Sequence, residues 1–184
     1  MIVEVRWLGR GGQGVVTASR LLGEAALLDG RYVQAFPEFG PERTGAPVLG
    51  FTRISDEPID IHSQVYAPDA VVVIDPGLAK SPDAAKGLKK GGKLILNLTE
   101  DPAKVKGEMG LKGVRFYALD ARRLSMDLIG RPIYNTTMLG ALLKVTDWVS
   151  IESAKKVVRE RFPGEMGEKN VELMMRAMEE VREY

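Results

Sequence analysis

Cysteine is absent from this 184-residue chain, and histidine occurs once. Without thiols the chain supplies neither a disulfide framework nor the thiolate ligands of an iron–sulfur cluster, so any such redox centre has to sit on another polypeptide. The lone His62, in Asp60-Ile61-His62-Ser63, has no Cys nucleophile and no second His to work with. It reads as a hydrogen-bonded structural residue rather than a base. Metal motifs are missing too: the sequence contains no H-E-x-x-H and no carboxylates at calcium-loop spacing. Nor is there an excess of either charge. The 26 basic and 25 acidic side chains give a formal charge of +1 and are spread along the chain, which argues against duplex nucleic acid or a polybasic membrane surface as a partner. No apolar run approaches the ~20 residues of a membrane helix. The first residues enter a strand-like run that carries Glu4 and Arg6. The expectation is therefore a cytoplasmic protein with no signal peptide, no membrane span and no nucleic-acid partner. The length suits one domain, residues 1–184.

What is present starts with Gly9-Arg10-Gly11-Gly12-Gln13-Gly14, which follows the strand-like residues 2–8 and opens an apolar helical pattern over Val15–Leu28. Glycine tolerates positive φ and lets backbone approach backbone or ligand, so such a loop turns tightly and leaves N–H groups free at a helix start. Gly9, Gly11 and Gly14 satisfy G-x-G-x-x-G, but a match this short also describes a simple strand-to-helix turn. Val15 and Val16 stand where a Walker A loop needs Lys and Ser or Thr, which removes that reading. A dinucleotide enzyme also needs an acidic residue at the end of the second strand. Here that strand, residues 31–36, runs into Pro37.

Further along, residues 47–54 carry β-type side chains, turn at Ser55-Asp56-Glu57-Pro58 and resume at residues 59–61, which suggests an antiparallel pair and hence a mixed sheet. Residues 70–74, bracketed by Asp69 and Asp75, and residues 93–98 read as central strands buried on both faces, with 114–118 a third. Residues 83–90 and 120–129 read as crossover helices. The last third is helical: residues 137–149, residues 151–162 with Ser150 as N-cap, and residue 168 to the C-terminus. In the last helix Val171, Met174, Met175, Met178 and Val181 share one face, a stripe that reads as core. The predicted fold is a single three-layer α/β domain with a mixed sheet, a glycine-rich loop after strand 1 and a helical C-terminal third.

Residues 36–47 form an unusual segment, Phe36-Pro37-Glu38-Phe39-Gly40-Pro41-Glu42-Arg43-Thr44-Gly45-Ala46-Pro47. Two Phe, stiffening prolines and a Glu-Arg pair are better suited to docking than to linking two strands, so the segment reads as a long interface loop. Phe39, Glu42, Arg43 and Thr44 are its candidate contact residues. Together with Gly9 to Gly14, Val15-Val16-Thr17-Ala18, Phe51-Thr52-Arg53-Ile54-Ser55 and the helix start Asn135-Thr136-Thr137-Met138-Leu139-Gly140-Ala141, the segment resembles the gamma subunit of the 2-oxoacid:ferredoxin oxidoreductases. Glu42-Arg43-Thr44-Gly45-Ala46-Pro47 is closer to the pyruvate (pyruvate synthase) and 2-oxoisovalerate branches than to the 2-oxoglutarate branch.

The resemblance implies a subunit of a complex that converts pyruvate, coenzyme A and oxidised ferredoxin to acetyl-CoA, CO2 and reduced ferredoxin, reversibly. It implies that alpha, beta and delta subunits hold thiamine diphosphate, Mg2+ and the iron–sulfur clusters. This chain would bind none of them, and alone would be inactive. Coenzyme A is the natural anion for the glycine loop, so Gly11, Gly12, Gln13 and Gly14 are the candidate residues that seat its phosphates, with Arg10 adding charge. The alternatives are a 2-oxoisovalerate-type complex of the same family and an independent Rossmann-like nucleotide-binding protein.

Overall fold

Apolar residues of the central strands alternate between two cores, and a sheet covered on both faces follows from that alternation. In the computed structural model, which describes residues 1–39 and 45–184, Val5 and Trp7 of β1 (Ile2–Arg10) and Ala70 and Val72 of β4 (Ala70–Val73) face one core. Leu8, Val71 and Val73 face the other. The same split divides β5 (Lys93–Asn97), with Ile95 against Leu94 and Leu96, and β6 (Arg115–Leu119), with Tyr117 against Phe116. The first core is capped by α1 (Val15–Leu28), α4 (Ala121–Ile129), α5 (Asn135–Val145), α6 (Ile151–Arg161) and α7 (Glu165–Glu180). The short α2 (Pro82–Ala85) and α3 (Pro102–Met109) cover the second. The result is the expected three-layer α/β domain.

The seven strands run in the order β2-β3-β1-β4-β5-β6-β7, with β2 spanning Tyr32–Phe39, β3 Pro47–Ser55 and β7 Arg182–Glu183. β1, β4, β5 and β6 are parallel, while β3 runs antiparallel to both of its neighbours. The sheet is mixed, but the antiparallel partner of β3 is not residues 59–61, which form no strand. That segment is held as irregular backbone instead: Gln34 donates to the Ile61 carbonyl at 2.9 Å, and Arg53 donates to those of Ser63 and Gln64. The presumed long loop is also shorter than expected. Phe36, Pro37, Glu38 and Phe39 continue β2, paired with Phe51, Gly50, Leu49 and Val48. Pro37 is tolerated there because β2 is an edge strand, where a missing N–H can face outward.

Helix ends follow local chemistry. Ser150 caps α6 by accepting from Ser153 N–H at 3.2 Å, as expected. Asp29 also receives Ser150 N–H at 2.6 Å and the hydroxyls of Ser150 and Ser153, tying the end of α1 to the start of α6. Burial works against its charge, yet these donors hold the Asp29 carboxyl below its ordinary range. The crossover expected over residues 83–90 contracts to α2: Gly87 turns the chain at φ 72°, at a place where a Cβ would crowd the Tyr66 carbonyl. α5 starts at Asn135 rather than at 137 and ends at Val145 rather than at 149, and α7 begins at Glu165. The Met stripe is core: Met174 is fully buried, and Val171, Met178 and Val181 nearly so. Gly140 lets α5 press directly onto the α7 backbone at Met174.

Candidate functional site

The glycine loop sits at the carboxyl end of β1, where the chain leaves in two directions. α1 crosses toward β2 and β3, while β4 continues the parallel half of the sheet. Such divergence opens a crevice beside the strand ends. Gly14 is the N-cap of α1 at φ 79°, ψ 30°, with no side-chain cap and no acidic residue in the first turn. A methyl group there would stand 2.9 Å from Asn135 Cγ and 3.0 Å from its Cβ, so glycine is needed for both conformation and space. Gly11 and Gly12 have nothing within 4 Å of where a Cβ would be, and Gly12 has φ 86°. Their backbone lies open.

Gln13 folds back into its own loop. Its Oε1 accepts from Arg10 N–H at 2.7 Å, and its Nε2 donates to Asp75 Oδ2. Asp75 Oδ1 accepts from Gly77 N–H at 2.8 Å and lies 3.5 Å from Arg10 Nε. Arg10 Nη1 in turn reaches the Gly45 carbonyl at 2.8 Å. In the sequence Asp75 stood out only as a bracket of residues 70–74, and no Asp or Glu lies within the loop itself. The structure puts one beside it, with Arg10 Nε 3.5 Å away.

The loop forms one wall of a cleft of about 550 Å3. Gly11, Gly12, Gln13 and Gly14 face Arg131, Pro132, Ile133, Tyr134 and Asn135, the segment that enters α5. Phe162, Met166 and Asn170 close the far side. Two helix starts, those of α1 and α5, therefore share the cleft, and neither has an acidic first turn. Their dipoles and the Arg131 guanidinium favour an anion, while Ile133, Phe162 and Met166 offer apolar surface. Burial, with help from the charges of Asp75 and Asp120 and against that of Arg122, pushes the Tyr134 hydroxyl above its ordinary range. Asn170 is fixed by accepting from the Thr136 hydroxyl at 2.7 Å and donating to the Met166 carbonyl at 2.9 Å. None of the residues from α5 to α7 was singled out in the sequence as lining a site, since only the fold brings them to the loop.

Of the sequence-predicted site residues, Gly11, Gly12, Gln13 and Gly14 come together as one wall of the cleft. Phe39 closes β2 by its backbone, and Glu42, Arg43 and Thr44 lie outside the described residues. His62 is at the surface, 88% exposed, with Nε2 3.3 Å from Asp60 Oδ1. Among the described residues no group of three or more His, Asp or Glu side chains is arranged to hold a metal ion. No described helix is long and apolar enough to cross a membrane.

Comparison with known proteins gives one answer across the whole chain. The family model for pyruvate ferredoxin/flavodoxin oxidoreductase matches residues 4–180. The common gamma subunit of the pyruvate/ketoisovalerate oxidoreductases of Thermococcus litoralis is 46% identical over 183 residues, covering 100% of this chain and 99% of that protein. The pyruvate synthase subunit PorC of Methanothermobacter thermautotrophicus is 48% identical over 180 residues, covering 98% and 96%. Among solved structures, the pyruvate oxidoreductase subunit PORC of Thermotoga maritima superposes with a TM-score of 0.88 at 43% identity, covering 99% of this chain and 98% of that one. The chain belongs to the pyruvate ferredoxin/flavodoxin oxidoreductase family.

Proposed function

We propose that this chain is the gamma-type subunit of a pyruvate:ferredoxin oxidoreductase complex. The observation that carries the reading is the end-to-end likeness to gamma and PorC subunits. The complex takes pyruvate, coenzyme A and oxidised ferredoxin to acetyl-CoA, CO2 and reduced ferredoxin, and runs in both directions. With no thiol in its sequence, this chain leaves the iron–sulfur clusters to other subunits, and by family likeness thiamine diphosphate and Mg2+ are also held among the alpha, beta and delta subunits. Bound there, thiamine diphosphate supplies the decarboxylation chemistry.

This chain's own contribution is the cleft. The open backbone of Gly11, Gly12, Gln13 and Gly14, the start of α1 and the Arg10 charge suit the phosphates of coenzyme A, and the apolar far wall suits the rest of that long ligand. Phe39, Glu42, Arg43 and Thr44, in the stretch of sequence between β2 and β3, are the residues offered to the other subunits. Residues 1–184 act as one unit in the assembly.

Two measurements test this reading. The purified chain alone is expected to reduce no ferredoxin with pyruvate, with turnover returning when the alpha, beta and delta subunits are added; pyruvate-dependent reduction by the isolated chain would refute the assignment. In the complex, Gly12→Ala with Arg10→Ala is expected to raise the apparent KM for coenzyme A roughly fivefold and to leave that for pyruvate nearly unchanged, the signature of lost binding to one substrate. Equal changes for both substrates, or none, would make the loop a packing turn.

A further inference from the structure

Asp75 sets a carboxylate, its side chain only 13% exposed, against a loop otherwise suited to anions. Through space that charge disfavours a phosphate, so its presence there calls for a geometric role. Both of its oxygens are engaged. Oδ1 accepts from Gly77 N–H and faces Arg10 Nε, while Oδ2 receives the Gln13 amide. With Gln13 Oε1 held by Arg10 N–H, the carboxylate holds the other end of the same amide, and the two contacts together fix which way it points. Gln13 is thereby tied at one atom to the Arg10 backbone and at the other to Asp75. The same carboxylate steadies Arg10, whose other end holds the Gly45 carbonyl just ahead of β3.

We propose that Asp75 is a positioning residue for coenzyme A, an inference that rests on the glycine loop being the coenzyme A seat. By fixing Gln13 and Arg10 together it keeps the loop in shape and joined to the chain just ahead of β3. Its repulsion of the ligand is offset by the ordering it imposes on two groups of the loop.

The test uses the assembled complex and the apparent KM for each substrate. Asp75→Ala is expected to raise the KM for coenzyme A about tenfold while moving that for pyruvate less than twofold. Asp75→Asn retains an acceptor for one donor but loses the ion pair, and should fall between, at roughly threefold. Adding Gln13→Ala to Asp75→Ala should cost little more, because both variants release the same side chain. A lower KM for coenzyme A in either Asp75 variant would mean that the carboxylate only repels the ligand. Equal shifts for both substrates, or additive effects with Gln13→Ala, would also overturn the proposal. Should Gly12→Ala with Arg10→Ala leave the coenzyme A KM unmoved, the seat itself is wrong. If that variant responds and the Asp75 variants do not, the positioning role alone is lost.

Discussion

Gly140→Ala is expected to lower the thermal midpoint of this chain by roughly 6–12 °C, the shift that about 3 kcal/mol produces in a domain of this size. A methyl group at Gly140 would press on the Met174 carbonyl oxygen, and it would lie 2.8 Å from the carbonyl carbon and 2.9 Å from the Cα of the same residue. All three are backbone atoms, so no rotamer change relieves the clash and α5 must move off α7. The neighbours are already close-packed: Leu139, Ala141 and Leu142 on one helix, and Leu173, Met174 and Ala177 on the other, have essentially no exposed surface. Separating the helices opens voids along this seam, adding a cavity cost to the clash. A calorimetric scan of the wild-type and variant chains decides it; midpoints within 2 °C of each other would mean that the helices can slide apart freely.

Arg53→Met is expected to cost about 3–5 kcal/mol, because it strands a carboxylate instead of removing a charged pair. The Arg53 side chain is 1% exposed. It donates to Glu4 Oε1 at 2.7 Å, to Gln34 Oε1 at 3.0 Å and to the Ser63 and Gln64 carbonyls at 2.7 and 2.9 Å, and it lies over the Phe36 ring. Methionine fills much of the volume but satisfies none of these acceptors. Glu4→Gln combined with Arg53→Met should recover part of the loss, since the stranded charge is then gone. Urea midpoints of the single and double variants measure this directly. If the double variant is no more stable than the single, the cost comes from packing and from the 63–64 segment, not from the carboxylate.

Elements whose signal is local were legible in the sequence. α1 begins and ends where its apolar periodicity and preceding glycine place it, and α6 begins at its Ser150 cap. β2 was cut short at Phe36 because proline reads as a breaker, and only the topology reveals that this strand lies at the edge. α3 was overlooked although Asp101 caps it and Pro102 occupies its first turn, a pair of signals present in the sequence. β7 is two residues long and exists through its pairing with β6, which no local pattern records. The candidate site divides the same way. Its glycines were evident, whereas Asp75 meets Gln13 across 62 positions and Asn135 meets Gly14 across 121. Contacts of that separation come from parallel strand order, not from spacing along the chain.

The central place of β1 also bears on how the protein is made. Its two flanks are covered by β3 and β4, which end at Ser55 and Val73. At bacterial to eukaryotic synthesis rates of about 5–20 residues per second, a strand containing Val3, Val5, Trp7 and Leu8 therefore waits several seconds for its second neighbour. During that interval it is an apolar segment with an unpaired edge, the kind of surface that nascent-chain chaperones bind and that self-associates when they are scarce. Overproduction of this chain is thus expected to be sensitive to the delay between its first strand and its fourth, and fewer chains started at once should raise the yield of folded protein by reducing the number caught in that interval together.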